Sequence, residues 1–64
     1  MVTVNGESQD IEGLNLRRYL EDAGYDLSRV VVERNLEIIP RDELGIITIR
    51  EGDTIEVLRF VGGG

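Results

Sequence analysis

The residues best placed to do chemistry are the glycines that close the sequence, Gly62, Gly63 and Gly64. Glycine loses the most entropy on ordering and has no side chain to bury, so a glycine run after a strand has no packing use. We expect a mobile arm that reaches at most roughly 14 Å beyond Phe60 and can thread a narrow active site of another protein. Its terminal carboxylate, with a pKa of about 3.3–3.7, is ionised at neutral pH.

Activation is the chemistry open to such a carboxylate, because it is a poor acyl donor until a better leaving group replaces an oxygen. Attack on the α-phosphorus of ATP would give an acyl adenylate, from which a sulfur or amine nucleophile could displace AMP. Gly64 has no Cβ, so approach to its carbonyl is sterically open. The competing interpretation is a frayed end without function.

Three absent residue types narrow the chemistry of the rest of the chain. The sequence has no Cys and no His, and all seven basic residues are Arg. Thiolate nucleophiles, side-chain persulfides, zinc sites and catalytic triads are therefore nearly excluded. Without Lys, the chain offers only its N-terminal amine for imine or isopeptide chemistry.

Size and charge limit the activities and the classes of partner expected for the chain. Its 64 residues make one small domain with little room for a deep cleft, so an autonomous enzyme is not expected. The net charge of −6 disfavours nucleic acid and anionic membranes and favours a protein partner with a basic docking surface. We expect no bound cofactor and no metal. No secretory signal or membrane span is predicted, and the expected compartment is the cytoplasm.

The elements that must position the glycine arm follow from hydrophobic periodicity and turn residues. Val2 to Val4 predicts a strand, Asn5-Gly6 a hairpin turn, and Ser8 to Glu12 a return strand with Ile11 inward. Apolar residues at Leu16, Tyr19, Leu20 and Ala23 predict a helix, with Asn15 as N-cap and Gly24 after its end. Later elements are strands at Val30–Arg34 and Glu37–Ile39, a single helical turn or an irregular segment at Arg41–Leu44, a short apolar segment at Ile46–Ile49, and a strand at Thr54–Phe60.

This order favours an α+β domain over residues 1–60, followed by a flexible glycine tail at 61–64. One helix on one face of a mixed sheet of four to five strands is a stable layer arrangement. With a hairpin first and a long strand last, a β-grasp arrangement is natural, with the first and last strands side by side and parallel. Composition and periodicity leave other α+β orders open.

Several short motifs carry a family resemblance over the whole chain. They are Val31-Val32-Glu33-Arg34-Asn35, Ile38-Ile39-Pro40-Arg41, Glu51-Gly52-Asp53 and the ending Phe60-Val61-Gly62-Gly63-Gly64. In combination, and with the overall size, they resemble the ThiS family, the ubiquitin-like β-grasp sulfur carriers of thiamine biosynthesis. The segment from Gln9 to Asp26 matches only in pattern.

The resemblance implies a mechanism centred on Gly64. A ubiquitin-E1-like enzyme (ThiF-type adenylyltransferase) would adenylate its carboxylate with ATP. Sulfur from a cysteine desulfurase would then give a thiocarboxylate that supplies thiazole synthase (ThiG-type). The chain would be a covalent co-substrate rather than an enzyme. Gly62 and Gly63 would give access to partner active sites.

A docking surface is predicted beside the tail. Leu58 and Phe60 alternate with Ile55 and Val57, so they lie on the opposite face of the last strand. If the helix covers Ile55 and Val57, then Leu58 and Phe60 lie on the helix-free face and suggest a docking patch, unless loops or the residues after Pro40 cover them.

Other polar and aromatic residues have structural interpretations. Glu33-Arg34-Asn35 predicts a solvated face and a turn, and Glu51-Gly52-Asp53 a turn. Tyr19 and Tyr25 are expected at the core or its edge.

Three other functions remain open at this point. A small subunit of molybdopterin synthase also carries sulfur on a terminal Gly-Gly, although the short length and the Val31-to-Arg41 run favour the thiamine carrier. A ubiquitin-like modifier would instead join its C-terminus to protein lysines. A plain binding module would have an inert tail.

Overall fold

The computed structural model describes residues 1–60 and contains one α-helix and five strands within them. The predicted tail at 61–64 lies outside the described residues. The strands are β1 (Val2–Val4), β2 (Glu7–Gln9), β3 (Val30–Arg34), β4 (Glu37–Ile39) and β5 (Thr54–Arg59), and the helix is α1 (Leu16–Asp22). Two 3-10 segments span Leu27–Arg29 and Arg41–Ile46.

The sheet has the order β2-β1-β5-β3-β4, which puts β5 at its centre. β5 runs parallel to β1 and antiparallel to β3, while β1–β2 and β3–β4 are antiparallel hairpins. The first and last strands are therefore parallel neighbours, as predicted. This is the ubiquitin-like β-grasp arrangement. Because β5 is hydrogen-bonded to a neighbouring strand along each edge, the position of β5 is fixed from both sides.

Both hairpins turn through residues in the left-handed region of backbone space. Asn5 and Gly6 have φ of 50° and 83°, which confirms the turn predicted from Asn-Gly. Asn35 and Leu36 have φ of 52° and 72°. Asparagine tolerates this conformation, whereas leucine does not favour it, and the Leu36 side chain is 90% exposed. The conformational cost of the Leu36 backbone is therefore not offset by burial of its side chain.

Helix α1 covers one face of the sheet. The side chain of Asn15 accepts a hydrogen bond from the Arg18 N–H at 3.0 Å, which confirms the predicted N-cap. Gly24, at φ 91°, follows the helix end, and its N–H donates to the Glu21 carbonyl at 3.0 Å. Leu16 and Leu20 are fully buried, Tyr19 is half-buried, and Ala23 is exposed. The predicted apolar face therefore ends one turn early.

The core lies between α1 and the inner face of the sheet. It contains alternate residues of β1, β3 and β5 together with side chains from the connections: Val2, Val4, Ile11, Leu16, Leu20, Val30, Val32, Leu44, Ile49, Ile55 and Val57. Ile11 is buried as expected, but it follows β2, which is displaced towards the turn from the predicted Ser8–Glu12. The helical turn predicted at Arg41–Leu44 is a 3-10 segment that continues to Ile46.

The segment Ile46–Ile49 forms no strand and makes a single bridge between Thr48 and Asn15. Ile49 is buried and Ile46 is 79% exposed, so only part of this apolar run serves the core. Its backbone instead supports the start of α1, where the Leu16 N–H donates to the Ile47 carbonyl at 2.9 Å.

Candidate functional site at the end of the central strand

The candidate site begins where β5 ends. The strand finishes at Arg59, and the N–H of Phe60 donates to the Arg29 carbonyl at 3.0 Å. This bond continues the attachment of the chain to the β3 side for one residue beyond the strand. The predicted site residues Gly62, Gly63 and Gly64 follow in sequence and lie outside the described residues. Their roles therefore stay predictions.

The turn that contains Arg29, to which Phe60 is bonded, is itself stabilised by a capping side chain. Asp26 Oδ1 accepts hydrogen bonds from the Ser28 N–H at 3.0 Å and from Ser28 Oγ at 2.6 Å. These two bonds, assisted by the nearby charges of Arg29 and Arg41, hold the pKa of the Asp26 carboxyl below its usual value. The Arg29 carbonyl, which accepts the hydrogen bond from the Phe60 N–H, thus belongs to a turn that Asp26 stabilises.

Arg59 occupies the helix side of the strand end. Its guanidinium lies 5.0 Å from the centroid of the Tyr25 ring, within the range of a cation–π contact. Tyr25 is half-buried and packs against the core, as the sequence predicted. The contact orients the last side chain of β5 away from the outer face, on which Leu58 and Phe60 lie.

The outer face of the sheet, opposite α1, carries the predicted docking residues. Leu58 is 56% exposed and Phe60 is 62% exposed, while Ile55 and Val57 are buried on the inner face. The segment after Pro40 does not cover them, because it packs on the helix side and buries Leu44 in the core. Exposure is thus established for both residues, and their docking role remains a prediction.

A buried carboxylate at the start of β5 was missed by the sequence interpretation. Asp53 is 6% exposed. Its Oδ2 accepts from Arg34 Nε and from the Arg50 N–H, both at 2.9 Å, and its Oδ1 accepts from Asn35 Nδ2 at 3.0 Å. Burial raises the pKa of this carboxyl, but the three hydrogen bonds and the Arg34 charge outweigh burial and leave the pKa below its usual value.

This network corrects two predictions. Arg34 is not part of a solvated face, since its side chain is only 23% exposed and is paired with Asp53. Asp53 is not merely a turn residue. Asn35 does turn the chain, and its Oδ1 also accepts from the Thr54 N–H at 2.9 Å. The network therefore joins the β3–β4 turn to the first residue of β5, at the end opposite the tail.

A second side chain, that of Asn5, holds β5 to β1, its other neighbour in the sheet. Asn5 Oδ1 accepts from the Val57 N–H at 2.7 Å, and Asn5 Nδ2 donates to the Val57 carbonyl at 3.4 Å. The amide thus extends the β1–β5 ladder beyond the last residue of β1. Sequence reasoning had assigned Asn5 to the turn alone.

Within residues 1–60, no group of His, Cys, Asp or Glu side chains is arranged to hold a metal ion. Across the same part of the chain, none of the helices has the length and apolar character needed to span a membrane.

The comparison with protein families decides the assignment of the chain. The ThiS family model matches residues 2–64, which include the glycine run. The chain belongs to the ThiS family. The sulfur carrier protein ThiS of Thermus thermophilus is 38% identical over 64 residues, and the match covers all of both chains.

Structural likeness agrees with this assignment. The crystal structure of a thiamine biosynthesis protein (ThiS) from Geobacter metallireducens matches with a TM-score of 0.77 and 34% identity. The match covers 98% of this chain and 97% of that one.

Two relatives are much longer proteins. The thiazole synthases of Paramagnetospirillum magneticum and Magnetococcus marinus are 34% and 38% identical to this chain over 64 residues. Each match covers 98% of this chain and 20% of the relative. The chain thus spans about a fifth of the length of these two relatives.

Proposed function

We propose that the chain is a sulfur carrier of thiamine biosynthesis that holds sulfur on the terminal carboxyl of Gly64. The observation that carries the proposal is the family match, which extends through the glycine run to residue 64. The relative from Thermus thermophilus, matched over its full length, bears the name of a sulfur carrier. The chain has no Cys to hold a persulfide, so the terminus is the natural place for sulfur.

The reaction requires a free carboxylate at Gly64 and an activating enzyme of the E1 type. A carboxylate oxygen attacks the α-phosphorus of ATP, and pyrophosphate leaves. The terminal sulfur of a partner's persulfide, supplied by a cysteine desulfurase, then attacks the carbonyl carbon and AMP leaves. A thiol cleaves the resulting acyl disulfide, which yields the thiocarboxylate. ATP is the activating enzyme's substrate, and the carrier is a co-substrate rather than an enzyme.

The described part of the chain supports this role by fixing the root of the tail. β5 is paired on both sides, its start is tied to the β3–β4 turn through Asp53, and Phe60 is bonded to Arg29. Because the end of β5 is held in place, the short glycine segment limits the positions that Gly64 can reach. Docking of the domain on a partner therefore confines the carboxylate to a small region.

We propose thiazole synthase as the acceptor of the sulfur. In the Paramagnetospirillum and Magnetococcus relatives, a segment similar to this chain is part of a protein named thiazole synthase. A covalent link of that kind raises the effective concentration of one module near the other, to the millimolar range for short flexible linkers. A separate carrier needs a docking surface for the partners that act on its tail, and the exposed Leu58 and Phe60 beside the tail fit that use.

The test is reconstitution with the activating enzyme and the thiazole synthase of the same host. We expect the full chain to stimulate ATP–pyrophosphate exchange, and a chain that lacks Gly63 and Gly64 to give none. With a desulfurase and cysteine present, the product should be a thiocarboxylate that is consumed when thiazole synthase is added.

Two results would contradict the proposal. Isopeptide adducts to other proteins in place of a thiocarboxylate would indicate a modifier. Full exchange by the truncated chain would show that the glycine tail is not the reacting group.

A further inference from the structure

The outer face of the sheet carries a pair of carboxylates that the proposed function leaves unexplained. Glu33 of β3 lies directly opposite Glu56 of β5 in the antiparallel register. Each alternates with buried residues of its strand, so both side chains project on the face opposite α1, and both are half-buried. Directly opposed residues place their Cβ atoms about 4.5–5.5 Å apart, where like charges destabilise the sheet.

No cation of the described residues forms an ion pair with either carboxylate. The arginines in ion pairs within residues 1–60 have Glu21, Asp22, Asp26 and Asp53 as their partners. Arg34 follows Glu33 directly but bonds Asp53 on the inner side of the sheet. Arg59 lies over the Tyr25 ring. The fold therefore keeps two negative charges together at the centre of a face without compensating them.

The apolar residues of the same face surround this pair in a defined order. Ile38, which is 67% exposed, lies opposite Glu33 on β4. The next outward pair towards the strand end is Val31 and Leu58, and Phe60 follows. Alternate residues of a strand are about 6.8 Å apart. The face is thus a strip that runs from carboxylates to aliphatic side chains to an aromatic ring and ends where the tail begins.

We propose that the Glu33–Glu56 pair receives a guanidinium or ammonium group of the activating enzyme. This proposal rests on the proposed function and adds the chemistry of its partner. The basic group would lie about 7 Å from the apolar pocket that takes Leu58. One cation between two carboxylates attracts both, and this attraction outweighs the repulsion between them. Burial of the flanking apolar residues displaces water and strengthens that attraction. Apolar contact alone would accept many partners, whereas this pair selects a partner with a basic residue at one position.

The proposal predicts opposite effects on the free carrier and on the complex. In the double variant Glu33→Gln with Glu56→Gln, the repulsion is lost, so the Tm of the free protein should rise by about 2–5 °C. The KM for the carrier in ATP–pyrophosphate exchange should rise on the order of tenfold at low salt, with kcat unchanged and a weaker salt dependence. The matched control is Glu7→Gln with Glu43→Gln, which changes the net charge equally at exposed positions away from the outer face.

A second variant keeps the proposal testable if the Gln pair packs poorly. Glu56→Arg replaces the like-charged pair by an opposed ion pair, so the free protein should be stabilised further and the KM should rise more than in the Gln double variant. Equal KM values and salt dependence for the outer-face and control variants would overturn the inference and leave the proposed function standing. A fall in Tm for both outer-face variants would also overturn it, because the pair would then be structural. Failure of the unaltered chain to stimulate exchange would overturn the inference and the proposed function together.

Discussion

Asp53→Asn is the substitution that probes most directly how β5 is held in place. The side chain keeps its shape, but one acceptor oxygen becomes an NH2 group. All the partners of Asp53 are donors: Arg34 Nε, the Arg50 N–H and Asn35 Nδ2. In either orientation of the new amide, at least one donor therefore faces another donor. Asn35 cannot turn its own amide to relieve the conflict without losing its bond to the Thr54 N–H.

The magnitude follows from burial. A buried donor left without a partner costs about 1–3 kcal/mol. Loss of the ionic part of the Arg34 pair adds about 1 kcal/mol, a small figure because the Arg34 side chain is 23% exposed and partly screened by solvent. The sum of about 2–4 kcal/mol is a large share of the roughly 3–10 kcal/mol expected for a domain of this size. It corresponds to a fall in Tm of about 10–25 °C.

Thermal unfolding followed by circular dichroism measures this effect, with Asp42→Asn as the control for an exposed carboxylate. The pH profile gives a second readout. The folded-state pKa of Asp53 is lowered, so its contribution to stability is complete above the unfolded pKa of about 3.9 and is lost as pH falls through the folded value. The wild type should lose this contribution in acid, and the Asn variant should lack that part of the slope. Equal Tm values for the Asp53 and Asp42 variants at pH 7 would refute the assignment of Asp53 as the anchor of β5.

Three further predictions concern the tail, the outer face and the second hairpin. Gly63→Val should leave the Tm unchanged and lower kcat/KM for adenylation on the order of 100-fold, because a branched side chain would obstruct entry of the tail into the partner's active site. Steady-state exchange kinetics would measure this effect. Phe60→Ala should weaken binding to the activating enzyme on the order of tenfold without a change in Tm, since the ring is 62% exposed; calorimetric titration would show it, and unchanged affinity would exclude Phe60 from docking. Leu36→Gly should stabilise the fold by about 0.5–1 kcal/mol, because φ is 72° and the side chain is 90% exposed; a lower urea midpoint would contradict this.

The local signals in the sequence were sufficient for the order of the elements. Asn5-Gly6 and Asn35 turn the two hairpins, Asn15 caps the helix, and alternation in Thr54–Arg59 buries Ile55 and Val57. Each of these depends on residues close in the chain, so propensity and periodicity report it. The order of the elements, with a hairpin first and a long strand last, favoured the first and last strands as parallel neighbours but left other α+β orders open. The family resemblance favoured the same β-grasp arrangement.

The contacts that the sequence could not reveal are those between distant residues. Arg34 and Asp53 are 19 positions apart, and Asn5 and Val57 are 52 apart. A charged residue in a strand ordinarily lies at the surface, so nothing near Arg34 indicates a buried partner. The opposition of Glu33 and Glu56 likewise depends on the β3–β5 register. For Ile46–Ile49 the sequence predicted only a short apolar segment, because periodicity does not distinguish a short strand from a loop that contributes one side chain to the core.

The central claim is that sulfur resides on Gly64, and fragmentation mass spectrometry of the intact chain tests it most directly. The protein is incubated with the soluble extract of its host, ATP and cysteine, then fragmented, because oxidation of Met1 adds nearly the same mass as replacement of oxygen by sulfur. We predict that the added mass maps to the Gly64 carboxyl and disappears when ATP is omitted. An unmodified Gly64, in an extract whose activating enzyme is shown to be active, would contradict the claim.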